Sequence, residues 1–279
     1  MSFYTSLSGL KAAQTELSTV SNNVANVSST AFKKSKVQFG DIFAAAPMQT
    51  TSSVAGQGVR VQGVTQQFTQ GTLETTDKTL DLAIAGEGYF AVKGDDGNIT
   101  YTRNGAFAVD LSRFAVDTTG ARIQVIPVDP ATGAPTVAPN TATLADLDDL
   151  QIPTTNANSN NAQLSSVGVD KKGLVSAVYA DGSTVYLGRV AMASFNSQES
   201  LRQEGDAHWS ATVASGNPIL GGAGEGLFGQ INSGMLERSN VDITDELVAL
   251  IAAQRNFQAN SKAIEASNTL TTTIVNLRT

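Results

Sequence analysis

The C-terminal stretch, residues 241–279, contains neither glycine nor proline and constrains the fold more than any other part of the chain. Asp242 is placed to cap a first helical turn, and Asp245 and Glu246 follow where the helix dipole favours acidic side chains. Apolar residues recur at a spacing of seven, at Ile243, Leu250, Phe257 and Ile264. A helix of roughly 35 residues is about 50 Å long, too long for one small domain. The stretch therefore predicts a long helix that needs a second helix beside it.

Residues 1 to about 29 carry the same spacing of seven, at Phe3, Leu10, Leu17 and Val24. Both terminal stripes are diluted with Asn, Ser, Thr and Gln, so each helix is weak by itself. We therefore expect the two ends to pair and to become ordered on assembly, with Phe257 buried only in the polymer. The alternative is that each helix packs on its own globular core, as amphipathic helices commonly do.

Composition excludes several classes of function. The net charge of −7 argues against nucleic acid or an anionic membrane as partner. The chain has no cysteine and one histidine, His208, so thiolate metal sites are excluded and a histidine-based triad or metal cluster would depend on one residue. No signal peptide and no apolar run long enough to span a membrane is recognisable. Lys33, Lys34 and Lys36 are interpreted as a solvated helix end.

Strand patterns dominate the middle of the chain. Asp96-Gly97 and Asp181-Gly182 each separate two alternating apolar runs, which is typical of hairpins, and Asn104-Gly105 marks a further turn. The predicted fold class is α+β, with long N- and C-terminal helices paired as a coiled-coil-like domain and a central, mainly antiparallel β domain. The predicted division is 1–30 with 240–279 as the helical assembly domain, 31–75 as a connector with an extended arm at 44–63, 76–128 with 164–239 as the β domain, and 129–163 as a variable insertion.

No enzyme motif is convincing. Gly224, Gly226 and Gly229 match the dinucleotide pattern G-x-G-x-x-G, but neither a strand before them nor a helix after them is predicted. We therefore interpret these glycines as a loop, and we expect no enzymatic activity, no cofactor and no metal.

Three segments resemble the flagellar rod and hook protein family. They are SLSGLKAAQTELSTVSNNVANVSSTAFKKSK at 6–36, GTLETTDKTLDLAIAGEGYFAVK with ITYTRNGAF at 71–107, and SGMLERSNVDITDELVALIAAQRNFQANSKAI at 233–264. Together they cover most of the chain except about 129–163. The chain departs from the family at Ala31, where members often have glycine, and at 111–114, where many have a glycine-containing turn.

The resemblance implies a self-assembling structural protein of the bacterial flagellum, exported by the type III apparatus. The opening and closing residues are most similar to hook members, which form a curved tube acting as a universal joint. Rod members are the alternative, because hook members usually carry a large outer domain where this chain has 129–163. Implied partners are copies of the same chain, the distal rod protein, and the hook cap and hook–filament junction proteins. A secreted β-rich enzyme or adhesin is the alternative from a different class.

The resemblance also implies that the helices form the subunit interface, with polar residues fixing register by hydrogen bonds as buried Asn does in coiled coils. The candidate interface residues are Phe3, Leu7, Leu10, Leu17, Val20, Asn23, Val24 and Asn26 in the first helix, and Ile243, Leu247, Leu250, Ile251, Gln254, Phe257, Asn260, Ile264, Ile274 and Leu277 in the second.

Overall fold

The structure is a computed structural model that describes residues 2–42, 56–137, 142–156 and 161–276. The chain divides into two compact units. The helical unit comprises Met1–Ser28, Lys33–Phe68 and Val241–Thr279, and the β unit comprises Ser29–Phe32 and Thr69–Asn240. Helices at both ends and a mainly antiparallel β region between them were predicted, and both are confirmed. Coiled-coil geometry stays a prediction.

The helical unit contains two helices and a two-stranded ribbon: α1 (Ser2–Ala25), β1 (Ser35–Asp41), β2 (Val59–Gln66) and α2 (Ile243–Asn276). The predicted cap of α2 is confirmed, because Asp242 Oδ1 accepts the backbone N–H of Thr244 at 2.8 Å and that of Asp245 at 3.3 Å. Much of the segment predicted as a connector therefore belongs to the helical unit as the β1–β2 ribbon. The N-terminal part of the predicted arm at 44–63 lies outside the described residues.

The strands of the β unit are β3 (Leu73–Thr75), β4 (Leu82–Ala85), β5 (Tyr89–Lys93), β6 (Ile99–Thr102), β7 (Ala108–Val109), β8 (Ala115–Val116), β9 (Arg122–Ile126), β10 (Asp148–Asp149), β11 (Thr155–Asn156), β12 (Ala162–Val169), β13 (Leu174–Tyr179), β14 (Thr184–Ser194), β15 (Arg202–Gly205), β16 (His208–Ser210), β17 (Ile219–Gly222), β18 (Gln230–Ser233) and β19 (Met235–Glu237). The main sheet runs in the order β11-β12-β13-β14-β9-β5-β6-β16-β15, and β18–β4 and β19–β3 form two separate pairs. Phe90, Ile123, Val190 and Met192 are among the buried side chains of its core.

Both predicted hairpin turns are confirmed. Gly97, between β5 and β6, and Gly182, between β13 and β14, have φ of 79° and 80°, which favour glycine. Gly105 has a different role. A Cβ there would lie 1.7 Å from the carbonyl oxygen of Leu82, so glycine is required by the close approach of two backbones.

At both places where the chain departs from the family pattern, a residue other than glycine adopts the left-handed backbone conformation. Ala31 has φ of 57° and Arg113 has φ of 67°. Ala31 is fully buried and donates its N–H to the carbonyl of Glu237 at 2.8 Å. The turn at Arg113 is closed by Asp110, whose Oδ1 accepts the N–H of Phe114 at 2.7 Å. Tertiary hydrogen bonds thus hold a conformation that L-residues rarely adopt.

The segment predicted as an insertion, 129–163, is described in part. Val128 forms an isolated bridge with Pro135, and β10 extends the sheet through pairing of Asp148 with Val125. Residues 138–141 and 157–160 lie outside the described part. The described portion of the segment is therefore joined to the β unit by short strands.

A buried ion pair links separate segments of the β unit. Arg103 Nη1 lies 3.3 Å from Glu237 Oε2, and both side chains are almost completely buried. Glu237 Oε1 also accepts the N–H of Gly71 at 2.9 Å, and Arg103 Nη2 donates to the carbonyl of Gly86 at 2.9 Å. Removing one partner of such a pair leaves an uncompensated buried charge, which is far more costly than losing an exposed pair.

Glu237→Gln should lower the free energy of unfolding by about 3–5 kcal/mol, because Arg103 keeps its charge in a buried site. The matched control is Glu74→Gln. Glu74 pairs with Arg238 where both side chains are more than half exposed, so its loss should cost at most about 1 kcal/mol. Urea denaturation of both variants measures the difference, and equal losses would contradict the role given to the buried pair.

Candidate subunit interface

The two terminal helices pack side by side in opposite directions. At one level, a Cβ placed on Gly9 of α1 would lie 2.6 Å from Oδ1 of Asn260 in α2. At the other, Asn23 Nδ2 donates to Glu246 Oε2 at 3.0 Å. From Gly9 to Asn23 the residue number rises along α1, and from Asn260 to Glu246 it falls by the same amount along α2. The pairing that the terminal stripes predicted is therefore present, and it is antiparallel.

A buried polar cluster fixes this pairing at the end of α1. Asn23 donates to the carbonyl of Ser35 at 2.8 Å as well as to Glu246, and it accepts the N–H of Ser35 at 2.9 Å. Lys34 forms an ion pair with Glu246. The interpretation of the lysines as a solvated helix end is therefore wrong for Lys34, and also for Lys33, which is buried. A lysine-rich stretch says nothing by itself about a carboxylate more than two hundred residues away.

Most apolar candidates of α1 lie partly inside the subunit. Val20 is buried, Phe3 is exposed, and the others are half-buried, namely Leu7, Leu10, Leu17 and Val24. The side chain of Asn23 forms its hydrogen bonds within the chain. Asn26 is half-buried, and its Nδ2 donates to the carbonyl of Asn22 at 3.0 Å. The buried residues Ala12 and Ala13 were not among the candidates. Small side chains give no strong apolar signal, although they permit close helix packing.

The candidates of α2 fall on two faces. The first face contains four half-buried candidates, Leu250, Phe257, Asn260 and Ile264. Ala253, which is fully buried, lies with them. Exposed are Ile243, Leu247, Ile251, Gln254 and Ile274. Leu277 lies outside the described residues. The expectation that Phe257 is buried only in the polymer is wrong in part, because its ring is already half-buried in the single chain.

The exposed face of α2 forms a continuous apolar strip, which we call the outer stripe and define as Ile243, Leu247, Val248 and Ile251. Three of these residues are spaced by four and therefore lie one above the other. Val248 is the most exposed, at 64%, and Ile251 is 49% exposed. Val248 was missed as a candidate, because a spacing of seven identifies one seam and not a second face.

The end of α2 extends beyond α1. By the register above, Ser2, the first residue of α1, lies level with Ser267, and α2 continues to Asn276. We call residues 268–276 the overhang. Its apolar side chains are strongly exposed: Leu270 and Ile274 by 65% each and Val275 by 58%. Isolated apolar helix ends of this kind gain stability when a second surface covers them.

His208 is buried in the β unit with both ring nitrogens occupied. Nε2 lies 2.6 Å from Asp117 Oδ2 and Nδ1 lies 2.9 Å from the carbonyl oxygen of Asp206. Both neighbours are acceptors, so the arrangement favours the protonated ring. Burial by itself would lower the pKa of His208, but the hydrogen bond and charge of Asp117 outweigh it and raise that pKa. Burial would likewise raise the pKa of Asp117, and hydrogen bonds from His208 and Thr119 outweigh it and lower that pKa.

Neither ring nitrogen of His208 faces a nucleophile, and the described residues hold no cluster of three potential metal ligands. Gly224 and Gly226 lie in a loop, as the sequence predicted, and have positive φ. The expectation of no preceding strand is wrong, because β17 ends at Gly222, but a strand, β18, and no helix follows. Among the described helices, none combines the length and the hydropathy needed to cross a membrane.

Three models of flagellar protein families match this chain. "Flagella basal body rod protein" matches residues 3–33, "Flagellar hook protein FlgE/F/G D1 domain" matches 83–177, and "Flagellar basal body rod FlgEFG protein C-terminal" matches 232–277. The matches at the two ends include nearly all of α1 and all of α2, and the central match lies in the β unit.

Relatives match this chain over nearly its whole length. The flagellar basal-body rod protein FlgG of Bacillus subtilis is 34% identical over 292 positions, covering 99% of this chain and 98% of its own. The flagellar hook protein FlgE of Salmonella typhimurium is 28% identical over 410 positions, covering all of both chains. A solved hook protein, FlgE2 of Helicobacter pylori, matches at 18% identity with a TM-score of 0.25, over 50% of this chain and 38% of that chain. This structural similarity is too low to support a conclusion about the present chain.

The helical unit has paired terminal helices with exposed apolar side chains, and the rest of the chain forms an antiparallel β unit. These features are typical of a structural protein. The chain belongs to the flagellar hook and basal-body rod protein family, whose members are structural components of the bacterial flagellum.

The ionised pair of His208 and Asp117 should make stability depend on pH. Because the pKa of His208 is raised in the folded state, its contribution is present below the unfolded value of about 6.5 and is lost as pH rises through the folded value. Because the pKa of Asp117 is lowered, its contribution is present above about 3.9 and is lost as pH falls through the folded value. The melting temperature should therefore fall as pH rises beyond about 6.5.

The chain has one histidine, so a single imidazole resonance reports the titration by NMR. Its midpoint should lie above 6.5. In His208→Gln the amide keeps a hydrogen bond to Asp117 without a titrating charge, and the alkaline fall in melting temperature should be absent. A midpoint at or below 6.5 in the folded chain would contradict this assignment.

Proposed function

We propose that this chain is the structural subunit of the bacterial flagellar hook, which polymerises into a curved tube and transmits torque from rod to filament as a universal joint. The observation that carries the proposal is the outer stripe together with the overhang, two apolar surfaces on α2 that the single chain leaves exposed. Similarity to hook proteins over the whole of both chains supports it.

The outer stripe has the energetics of an assembly surface. Fully burying one Val, Leu or Ile side chain contributes about 1.5–3 kcal/mol. Four half-exposed side chains on one helix face therefore offer several kcal/mol for each neighbour that covers them. A polymer repeats that gain at every subunit, so weak individual contacts suffice for a stable tube.

Polar residues divide into two groups with different roles. Asn23 sets the register of α1 and α2 within one chain through Glu246 and Ser35. Gln254 lies on the exposed part of α2, and we propose that it forms hydrogen bonds to neighbouring subunits. In that arrangement the paired helices adopt coiled-coil-like contacts with adjacent pairs and line the inner tube.

The β unit forms the outer layer of the proposed tube, and the segment 129–163 is its variable region, small in this chain. The partners we propose are copies of the same chain, the distal rod protein below, and the hook cap and hook–filament junction proteins above. The flagellar type III apparatus exports the chain. We propose no enzymatic activity, no cofactor, no nucleic-acid contact and no membrane insertion.

A second candidate is the distal rod subunit, a straight drive shaft. Chain length favours it, because the alignment with the Bacillus rod protein spans 292 positions whereas the alignment with the Salmonella hook protein spans 410, well beyond the 279 residues here. The longer relative thus contains a large segment that this chain lacks. A secreted enzyme or adhesin, the alternative from a different class, has no catalytic constellation among the described residues to support it.

Electron microscopy of the purified chain at high concentration tests assembly directly. Curved, supercoiled tubes are expected of a hook subunit, and straight rigid tubes would instead support the rod candidate. A particle that stays monomeric at every concentration would contradict both.

Ile251→Ser should separate assembly from folding. Ile251 is half-exposed in the single chain, so the melting temperature in dilute solution should change little, whereas the concentration needed for tube formation should rise about tenfold, which corresponds to about 1.4 kcal/mol per contact. Glu265→Ser, at an exposed position of the same helix, controls for the lower helix propensity of serine.

Phe257→Ala should behave differently, because its ring is already half-buried in the helical unit. We expect both a lower melting temperature of that unit and a higher assembly threshold, with the loss below the about 3–5 kcal/mol of a fully buried Phe. Circular dichroism of dilute chain and sedimentation of tubes measure the two effects. An unchanged threshold in both Ile251→Ser and Phe257→Ala would remove α2 from the interface.

A further inference from the structure

A groove of about 430 Å³ lies within the helical unit, bounded by α1, β1 and α2. Val20 and Val37, both nearly buried, and Ala249 supply apolar lining. Phe39, also in the lining, is 40% exposed. The volume of the groove is in the range of pockets that enclose drug-sized molecules, which corresponds to a few large side chains.

The rim of the groove carries charge of both signs, with the two lysines close together in the sequence. Lys34 and Lys36 flank it at the start of β1, and Glu16 and Glu246 come from the two helices. Glu246 is already paired with Lys34 and bonded by Asn23. The side chain of Lys36 is exposed and adds positive charge at the mouth.

The overhang and the groove lie toward opposite ends of the same helix pair. The groove is built by α1 residues from Glu16 to Asn23, which are level with the first turns of α2. The overhang begins where α1 starts, so the groove of a chain is out of reach of its own overhang. Two surfaces that lie at opposite ends of one molecule and fit each other make a head-to-tail contact, which generates an open helical filament.

The helix dipoles, rather than charged side chains, distinguish the overhang from the other helix end that lies beside it. Residues 266–276 contain no charged side chain, and the C-terminal end of α2 carries the negative end of the helix dipole. That end is attracted to Lys36, whose side chain is exposed, whereas Lys34 is already paired with Glu246. The N-terminus of α1, with Phe3 and Tyr4 exposed at the same end of the pair, carries the positive end of its dipole and is repelled by the same exposed lysine.

We propose that the groove of one copy receives the overhang of the next copy, with Leu270 and Ile274 covering the apolar lining and the end of the helix directed to the lysine rim. The contact buries at once the most exposed apolar residues of α2 and the exposed ring of Phe39. It rests on the proposed polymerisation and adds to it the pair of surfaces that joins successive subunits along the helix axis.

Disulfide cross-linking tests the contact in the full chain, which has no cysteine of its own. Phe39→Cys and Ile274→Cys are placed in separate chains, mixed in equal amounts, assembled into tubes and oxidised, so that a disulfide between positions 39 and 274 must join two copies. The bond forms only where the two Cα atoms come within about 7 Å. Ala249→Cys with Leu270→Cys is a second, independent pair.

The matched control is Gln38→Cys mixed with Ile274→Cys. Gln38 is exposed, precedes Phe39 on the same strand and does not line the groove. The expected result is linked product, confirmed by peptide mass spectrometry, from at least one groove pair and none from the control. Tubes that form while neither groove pair links, or while the control links equally, overturn the contact and leave polymerisation standing. Absence of tubes from the unsubstituted chain overturns the proposed function, and the contact with it.

Discussion

The buried carboxylate of Glu246 is the interaction on which the arrangement of the helical unit depends. It accepts a hydrogen bond from Asn23, pairs with Lys34, and so ties together the first turn of α2, the last turn of α1 and the segment entering β1. A buried charge is tolerated only when its partners satisfy it, which makes any other register of the two helices unfavourable. The register in turn determines which apolar residues of α2 face α1, which form the outer stripe, and how far the overhang extends.

In the β unit, hydrogen bonds likewise connect segments that are far apart in the sequence. Ala31 donates to the carbonyl of Glu237, Gly71 to its carboxylate, and Asn240 to the carbonyl and hydroxyl of Thr69. Segments that are far apart in sequence therefore end at one place in the β unit, held by specific polar contacts instead of apolar burial.

Exposed apolar surface is the feature on which the proposed assembly depends. A monomeric protein would normally cover Leu270, Ile274 and the outer stripe, because such patches promote association. Here association is what the chain is proposed to do, and the two helices bury just enough of each other to hold their register. The hook and rod candidates share this chemistry and differ in length: the alignment with the Salmonella hook protein spans 410 positions, and that with the Bacillus rod protein spans 292.

The sequence by itself determined the local elements: the cap at Asp242, the length of α2, and the turns at Gly97 and Gly182. These depend on neighbouring residues and on period, which one chain displays directly. Tertiary structure alone decided the burial of Lys33, the ion pair of Lys34 with Glu246, and the division of α2 into a half-buried and an exposed face. A period of seven identifies which residues share a helix face, but it contains no information about what lies opposite that face, because the partner is set by contacts between residues far apart in the chain.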